Sequence, residues 1–511
     1  PLPYDQTQIR LRTGMNSLAE LGIDHNGVAS DEFSYRIIAL GRQRDGQMAT
    51  TEEERRLIAP SANWQITDQT RLNLNLYYQD YPKSIPSTPL PGEGTVLPAA
   101  WGKLDSDAYA GDNNWNNVDR EVTMAGYKLH HEFSDKVTFL QNFRYTDGEL
   151  LQRNTYHFSP AGQVLTRSAY RTDEAVEGFT LDNQLAQEFA VGNTRHKLLF
   201  GIDYQTLDSD ITYRDTFAVG TPTIDLANPD HDQFDVATIE SNFVYTQTED
   251  IEQTQLGMYI QDEVKWDGVT LLANLRRDSY ESTNHVDYGG DPQTIESDQS
   301  STTGRLAAMY RFDNGLAPYV SYATSFEPNP GLDSVSGKGL KATTAEQYEI
   351  GVKFRSKSGN TELTAAAFDI TQTDVVRYAS YPANYTQSGE VSSKGFELAM
   401  RTSLTDKLDL QASYGQQDVE VTSDSDASIV GKTPVWVADR QASLWATYYL
   451  DDAFDVNLGV RHVGESQIDA QNTGTVPSYT LLDMAASYSF SDRSRIGLTV
   501  TNLLDKRYVG A

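Results

Sequence analysis

Apolar and polar residues alternate along much of this chain with a period of two. That pattern marks strands with one greasy and one wet face. In residues 70–79, Leu72, Leu74, Leu76 and Tyr78 share one face, while Arg71, Asn73, Asn75 and Tyr77 share the other. In 407–414, Leu408, Leu410, Ala412 and Tyr414 alternate with Asp409, Gln411 and Ser413. In 495–501, Ile496, Leu498 and Val500 alternate with Gly497, Thr499 and Thr501. Taken singly, each segment also fits a strand of a soluble sandwich with a wet outer face.

The spacing of turns separates the two readings. Residues suited to tight turns recur at 67–69, 134–136, 192–193, 266–268, 313–315, 358–360, 405–407, 451–452 and 491–493. From Asp267 onward the interval is roughly 45 residues, enough for two strands of about 10–12 residues, one short turn and one long loop. Short turns at one end and long loops at the other are the outer-membrane barrel pattern. A propeller blade has a similar period but needs four shorter strands. An aromatic precedes most short turns: Trp64, Phe133, Phe189, Trp266, Phe312, Phe354, Tyr449 and Phe490, with Leu404 the exception. Such rings suit an interfacial girdle. The scheme yields about 21 strands, the last at 495–508. An odd count leaves edges unpaired in lipid, so one closing strand is expected after Ala511.

Composition narrows the class. The chain has 511 residues, 38% of them hydrophobic, and a formal net charge of −31. The negative charge argues against nucleic acid as a partner. Cysteine is absent, which excludes disulfides, thiolate metal sites and a cysteine nucleophile within these residues. No apolar run is long enough for a transmembrane helix, and residues 1–10 contain no signal-peptide h-region. Tyrosine outnumbers phenylalanine 29 to 18, as suits many half-wet surfaces.

The C-terminal third carries a resemblance. Residues 477–483 (PSYTLLD) and 502–508 (NLLDKRY) resemble the terminal signature of TonB-dependent outer-membrane receptors. Residues 319–331 (YVSYATSFEPNPG) with 346–353 (EQYEIGVK) resemble the siderophore-receptor branch. Phe33-Ser34-Tyr35-Arg36, Ile58-Ala59-Pro60, and 73–80 leading into a loop that ends near Gly94-Thr95 are similar to the ferric-hydroxamate (ferrichrome- and ferrioxamine-like) members. The resemblance runs over essentially the whole chain. It implies an all-β fold, a transmembrane antiparallel β-barrel of the 22-stranded receptor type, occupying residues 1–511. It also implies location in the outer membrane of a Gram-negative bacterium and TonB-driven import of a ferric siderophore. The family carries an N-terminal plug and TonB-contact box; here Gln8–Thr13 already reads as the first barrel strand, so the plug is expected to be absent from this chain.

No catalytic role and no cofactor is implied, since iron arrives already coordinated by the siderophore. By resemblance, the fourth long loop contributes Tyr156 and Phe158 to the ligand, and the fifth contributes Phe234. The third loop departs from the ferrichrome pattern: Ile85-Pro86-Ser87-Thr88-Pro89 stands where aromatics are expected, and its own rings come later at Trp101, Tyr109 and Trp115. These rings equally fit packing of loop against loop. The fifth loop, taken as 203–252, is rich in Asp and Glu. A mouth this acidic would repel a polyanionic ferric catecholate and tolerate a neutral or cationic hydroxamate; acidic loops also bridge lipopolysaccharide phosphates or stay solvated. His130-His131-Glu132 lacks the second histidine of a zinc-protease motif. Asp424-Ser425-Asp426 lacks the rest of a calcium loop. The competing classes are a passive porin-like channel, although about 22 strands make a barrel expected to be plugged, and an outer-membrane enzyme, for which no constellation stands out. Phage or bacteriocin docking is compatible with the receptor reading.

Overall fold

The computed structural model describes residues 1–86, 88–158, 162–333, 336–380 and 384–510. Ser87, in the third-loop departure, and Ala511 lie outside the described residues. Among the described residues there are 27 strands; six are two residues long, and the other 21 follow one another in sequence. Each expected short turn falls between two of them. Asp68-Gln69 separates Glu52–Thr67 from Thr70–Ser84, and Asp267-Gly268 separates Tyr245–Trp266 from Val269–Tyr288. At the latter, Asp267 (φ 42°) and Gly268 (φ 87°) both take the left-handed backbone that a two-residue hairpin demands.

The chain divides into two compact units. The first comprises Pro1–Glu188, Leu199–Tyr259 and Arg277–Ser300; the second comprises Phe189–Leu198, Ile260–Arg276 and Ser301–Ala511. In the first, strands Gln6–Thr13, Ala19–Val28, Phe33–Asp45, Glu52–Thr67, Thr70–Ser84, Asn117–Ser134, Val137–His157 and Arg167–Val191 pair antiparallel, each with the next. The second repeats the pattern from Leu316–Glu327 through Thr343–Arg355, Thr361–Ser380, Asn384–Thr405, Leu408–Ser423, Arg440–Tyr449, Phe454–Val463 and Tyr479–Ser491 to Ser494–Val500.

Register carries the alternation across neighbours. Leu74 faces Tyr127, Tyr127 faces Phe143, and Phe143 faces Leu181, so one face of the sheet stays apolar over four strands. That face is exposed: Ile9 is 65%, Leu11 77% and Leu74 45% accessible. A water-soluble protein would cover so continuous an apolar sheet. The aromatics before the short turns are exposed too, among them Trp64, Phe133, Trp266, Phe312, Tyr449 and Phe490.

Two expectations fail. Strands are not uniformly 10–12 residues long; Val269–Tyr288 and Pro292–Tyr310 run 20 and 19 residues and meet at a three-residue turn. Here the repeat is filled by strand rather than loop, because the two strands keep packing above the apolar band: Tyr280, Val286 and Ile295 are buried. The last strand ends at Val500, well short of 508. Asn502 and Asp505 adopt positive φ, and the Asn502 N–H donates to Asp483 Oδ1 at 2.8 Å, turning the chain out of the sheet.

Candidate functional site

The described parts of the first unit's long connections, 85–86, 88–116, 162–166 and 216–244, fold into a compact cap with a small core of its own. Leu165 and Ile224 pair across a two-residue bridge, and with Leu104, Ala110 and Leu226 they form one buried cluster, against which Trp101 packs. Trp115, Ala169, Phe234 and Ile239 form a second. Ile239 arrives on the six-residue helix Val236–Ser241, whose N-terminus is capped by Asp235. Trp101 lies over Gly94, whose φ of +81° and missing Cβ leave room for the indole.

A cation holds the clusters together. Arg167 is only 1% exposed. Its Nε donates to Pro222 O at 3.0 Å, its Nη1 to Ala110 O and Gly111 O at 3.2 Å each, and its Nη2 to Gln233 Oε1 at 3.0 Å. The guanidinium lies 4.5 Å from the centroid of Phe234. Asp112, fully buried, accepts from the backbone N–H of Asn114, Gln233 and Phe234 at 3.1, 2.9 and 3.2 Å. Burial pulls the Arg167 guanidinium down to about 10, opposed by the Asp112 charge, so it remains cationic at neutral pH. Burial likewise pushes Asp112 above the usual carboxylate range, opposed by its backbone donors. The hydrogen bonds of Arg167 and Asp112 therefore tie the third and fifth loops to the base of the fourth. Trp115 adds an indole hydrogen bond to Asn154 O at 3.1 Å.

Beneath the cap, tyrosines cross the sheet. Phe143 lies on the apolar face and the register of its strand is unbroken, so Asn154 and Tyr156 point to the opposite, polar face. Tyr170, opposite Asn154, shares that face. Ring centroids run Phe158–Tyr156 5.2 Å, Tyr156–Tyr170 6.1 Å, Tyr170–Tyr213 5.7 Å, Tyr213–Tyr245 6.4 Å and Tyr245–Phe217 5.5 Å. Asp215 anchors the row from beneath: Tyr156 OH donates to it at 2.8 Å, Tyr213 OH at 2.5 Å, Ser168 Oγ at 2.6 Å and the Phe217 N–H at 2.8 Å. The Tyr170 hydroxyl accepts from Gln152 Nε2 at 2.7 Å and Asn154 Nδ2 at 3.3 Å, and the Tyr245 hydroxyl donates to Gln247 Oε1 at 2.9 Å. The row offers ring faces and hydroxyls to a ligand of mixed polarity. Among the described residues no cluster of three or more His, Cys, Asp or Glu could hold a metal.

The six residues singled out from sequence separate into two groups. Tyr156 and Phe158 stand together at one end of the aromatic row, with Phe158 53% exposed. Tyr109, Trp115 and Phe234 are buried at 3%, 1% and 4%, and Trp101 lies against the first cluster. Sequence reading missed Arg167, Asp112, Tyr170, Tyr213, Phe217 and Tyr245; for the rings the available signal was a tyrosine or phenylalanine near both ends of the connections 158–166 and 216–244. The acidic fifth loop is also smaller than expected. Asp208 and Asp210 sit in strand Thr194–Asp215, and Glu249 and Asp250 in Tyr245–Trp266. Glu240 is paired with Arg171 at 2.8 Å and Arg153 at 3.9 Å. Asp230, Asp232 and Asp235 remain exposed.

Comparison with known proteins places these observations. The family profile described as "TonB dependent receptor-like, beta-barrel" matches residues 63–503. The chain is 32% identical over 517 residues to the ferrioxamine B receptor of Salmonella typhimurium (strain SL1344), covering 99% of this chain and 72% of that receptor. It is 30% identical over 537 residues to the ferrichrome outer membrane transporter/phage receptor of Escherichia coli K12, covering 99% and 71%. The crystal structure of the siderophore receptor PiuA from Acinetobacter baumannii superposes with a TM-score of 0.87 at 22% identity, covering 99% of this chain and 78% of that one.

Proposed function

The chain belongs to the TonB-dependent receptor β-barrel family, and from that membership we propose that it captures a ferric siderophore of the hydroxamate class at the cell surface for TonB-driven import to the periplasm. The family consists of outer-membrane receptors and transporters of Gram-negative bacteria, rather than passive porins or enzymes. Residues 1–511 serve as the transmembrane barrel domain, with the exposed apolar face toward lipid and the polar face inward.

The observation that carries the ligand site is the aromatic row from Phe158 to Phe217 under the loop cap. Its rings present area to the siderophore's aliphatic arms, and its hydroxyls can meet hydroxamate oxygens. Tyr156 and Phe158 contact the ligand first. Trp101 borders it, while Tyr109, Trp115 and Phe234 act from behind by holding the cap in shape. Iron is cargo, coordinated by the siderophore, and the chemistry is binding and gating rather than catalysis. Two features support the hydroxamate class. Relatives at 30–32% identity are named for ferrioxamine and ferrichrome, whereas a catecholate receptor of Escherichia coli is only 22% identical. Exposed Asp230, Asp232 and Asp235 disfavour a polyanionic catecholate.

TonB is the energising partner, and lipopolysaccharide surrounds the outer rim. The name of the Escherichia coli relative also records a phage receptor, and a structural neighbour was solved with pyocin S2, so the cap is also a docking surface for phage or bacteriocin. Fluorescence titration of the full-length receptor tests the ligand class. A neutral or cationic ferric trihydroxamate should bind more tightly than ferric enterobactin; equal or reversed affinities would reject the hydroxamate assignment.

A further inference from the structure

At the cap end of the first unit, arginines stand opposite one another on the polar face. Register sets Arg12 against Glu20, Glu20 against Arg42, and Arg42 against Arg55, so the four form one row across four strands. Arg55 and Asn63 fall an even number of residues apart on a strand whose register with the preceding strand is unbroken, and Asn63 pairs with Asn73, so the row belongs to the polar face. The connection between the third and fourth strands is tied to the cap: the Ala49 N–H donates to Asp107 O at 2.8 Å, and Gln47 Nε2 to Ser106 O at 3.2 Å.

The charges here do not balance. Arg12 reaches Glu20 only at 3.5 Å. Glu53, buried, is shared by Arg42 and by Arg44, the latter through Nε at 2.8 Å and Nη2 at 2.5 Å. Glu54 and Arg56, on either side of Arg55, turn to the opposite face and pair with each other. Four guanidiniums, of Arg12, Arg42, Arg44 and Arg55, therefore meet two carboxylates, in a chain of net charge −31. The Arg55 guanidinium has no hydrogen-bond or ion-pair partner among the described residues, and its Nε is buried, as is the unpartnered Nε of Arg42. Like charges directly opposite on a sheet repel, and a buried donor without a partner costs free energy. One anion between Arg42 and Arg55 relieves both, since guanidinium forks take carboxylates two oxygens at a time.

We propose that this row is a subsite for a free carboxylate carried by the imported siderophore, so that the ligand class is a ferric hydroxamate with a pendant acid. The hydroxamates lie on the aromatic row and the acid against Arg42 and Arg55. Position favours a group on the ligand over an acidic side chain from elsewhere in the protein. Tyr156, Tyr170, Tyr213 and Tyr245 stand near the same ends of their strands, beside the connections that build the cap, so both rows lie just beneath it. A single carboxylate leaves such a complex far less anionic than a ferric catecholate, so the exposed Asp230, Asp232 and Asp235 still discriminate between the two. The inference rests on the siderophore reading above and narrows it.

Titration of the full-length receptor with N-acetyl- and N-succinyl-ferrioxamine B, followed by tryptophan fluorescence, tests it. The two share one iron core and differ by a terminal carboxymethyl group. Wild type should bind the succinyl derivative about tenfold more tightly, the scale of one charge-assisted hydrogen bond. Arg55→Gln should bring the two affinities level without changing that of the acetyl derivative, which also reports that the variant is folded. Arg55→Lys should retain part of the preference, because an ammonium keeps the charge and loses the fork. Arg71→Gln, on the same polar face at the short-turn end, should retain all of it. Equal wild-type affinities overturn the proposal, and so does a preference that survives Arg55→Gln. Wild type that binds neither derivative overturns the hydroxamate reading together with this inference.

Discussion

Replacing Arg167 with methionine removes the cation that joins three loops while keeping much of the side chain's bulk. Four hydrogen bonds disappear, and Asp112 is left buried without the opposite charge that opposes its desolvation. Charged hydrogen bonds are worth about 1.5–3 kcal/mol each, but their sum exceeds what removal of one partner of a buried pair typically costs, about 3–5 kcal/mol. The lower range is the better guide, because the loops relax and water enters. At about 4 kcal/mol, the ratio of opened to closed cap rises roughly a thousandfold. The barrel strands do not share this cost, so the effect is local opening rather than global unfolding. Amide hydrogen exchange reads it directly at the Gln233 and Phe234 amides, which donate to Asp112, and the Asn113 amide, which donates to His231 O. These should lose most of their protection, while amides of the Asn384–Thr405/Leu408–Ser423 hairpin keep theirs. Arg167→Lys should fall between, since an ammonium cannot reproduce the fork that reaches Ala110, Gly111 and Gln233 together. Protection within threefold of wild type in Arg167→Met would refute the claim that this residue holds the cap. Adding Asp112→Asn to Arg167→Met should cost less than the two single losses combined; strict additivity would mean the two do not act as a pair.

Further expectations follow from the same geometry. Tyr156→Ala should weaken ferric-siderophore binding about two- to tenfold, the worth of one ring contact, and Phe158→Ala similarly; isothermal titration would show whether either leaves affinity untouched. Asp215→Ala frees the hydroxyls of Tyr156 and Tyr213 and should reduce affinity through loosened rings, with Asp215→Asn recovering part of it. Asp112 binds its proton more tightly in the closed cap than in opened loops. The stability it contributes is present below its ordinary value of 3.8 and is lost as pH rises through the raised value. Protection of the Gln233 amide, corrected for intrinsic exchange, should therefore increase on acidification across that window and lose this dependence in Asp112→Asn. Gly94→Ala places a side chain at φ +81° under the Trp101 ring; a cost of about 1–2 kcal/mol to cap stability is expected from the backbone alone, and an unchanged urea profile of Trp101 fluorescence would contradict it.

The strands were legible because lipid on one side and polar contacts on the other enforce strict alternation, and because tight turns need Asp, Asn or Gly. Hence Asp68-Gln69, Gly192-Asn193 and Asp267-Gly268 each fall at the hairpins expected of them. Strand ends were less legible. Beyond the apolar band nothing in the pattern separates a strand that continues from a loop that begins, as at Tyr288, and local turn chemistry at Asn502 overrode the alternation before it. The proposed site was only partly legible. Tyr156 and Phe158 stand beside a long connection and could be named, but Tyr170, Tyr213 and Tyr245 join them through strand pairing between distant segments. Arg167 was hidden for a related reason: its partners, Ala110, Gly111 and Pro222, are backbone carbonyls that leave no trace in side-chain identity. Trp115 and Phe234 are packed inside a loop cluster, because a ring in a long loop can serve as the core of that loop.

The central claim is most directly tested by uptake of radiolabelled iron into Gram-negative cells that lack their own hydroxamate receptors and express the full-length gene. Import from a ferric trihydroxamate, abolished when TonB is deleted and exceeding import from ferric enterobactin, is the predicted result. Iron entry that is independent of TonB, or that occurs only from the catecholate, would contradict the account.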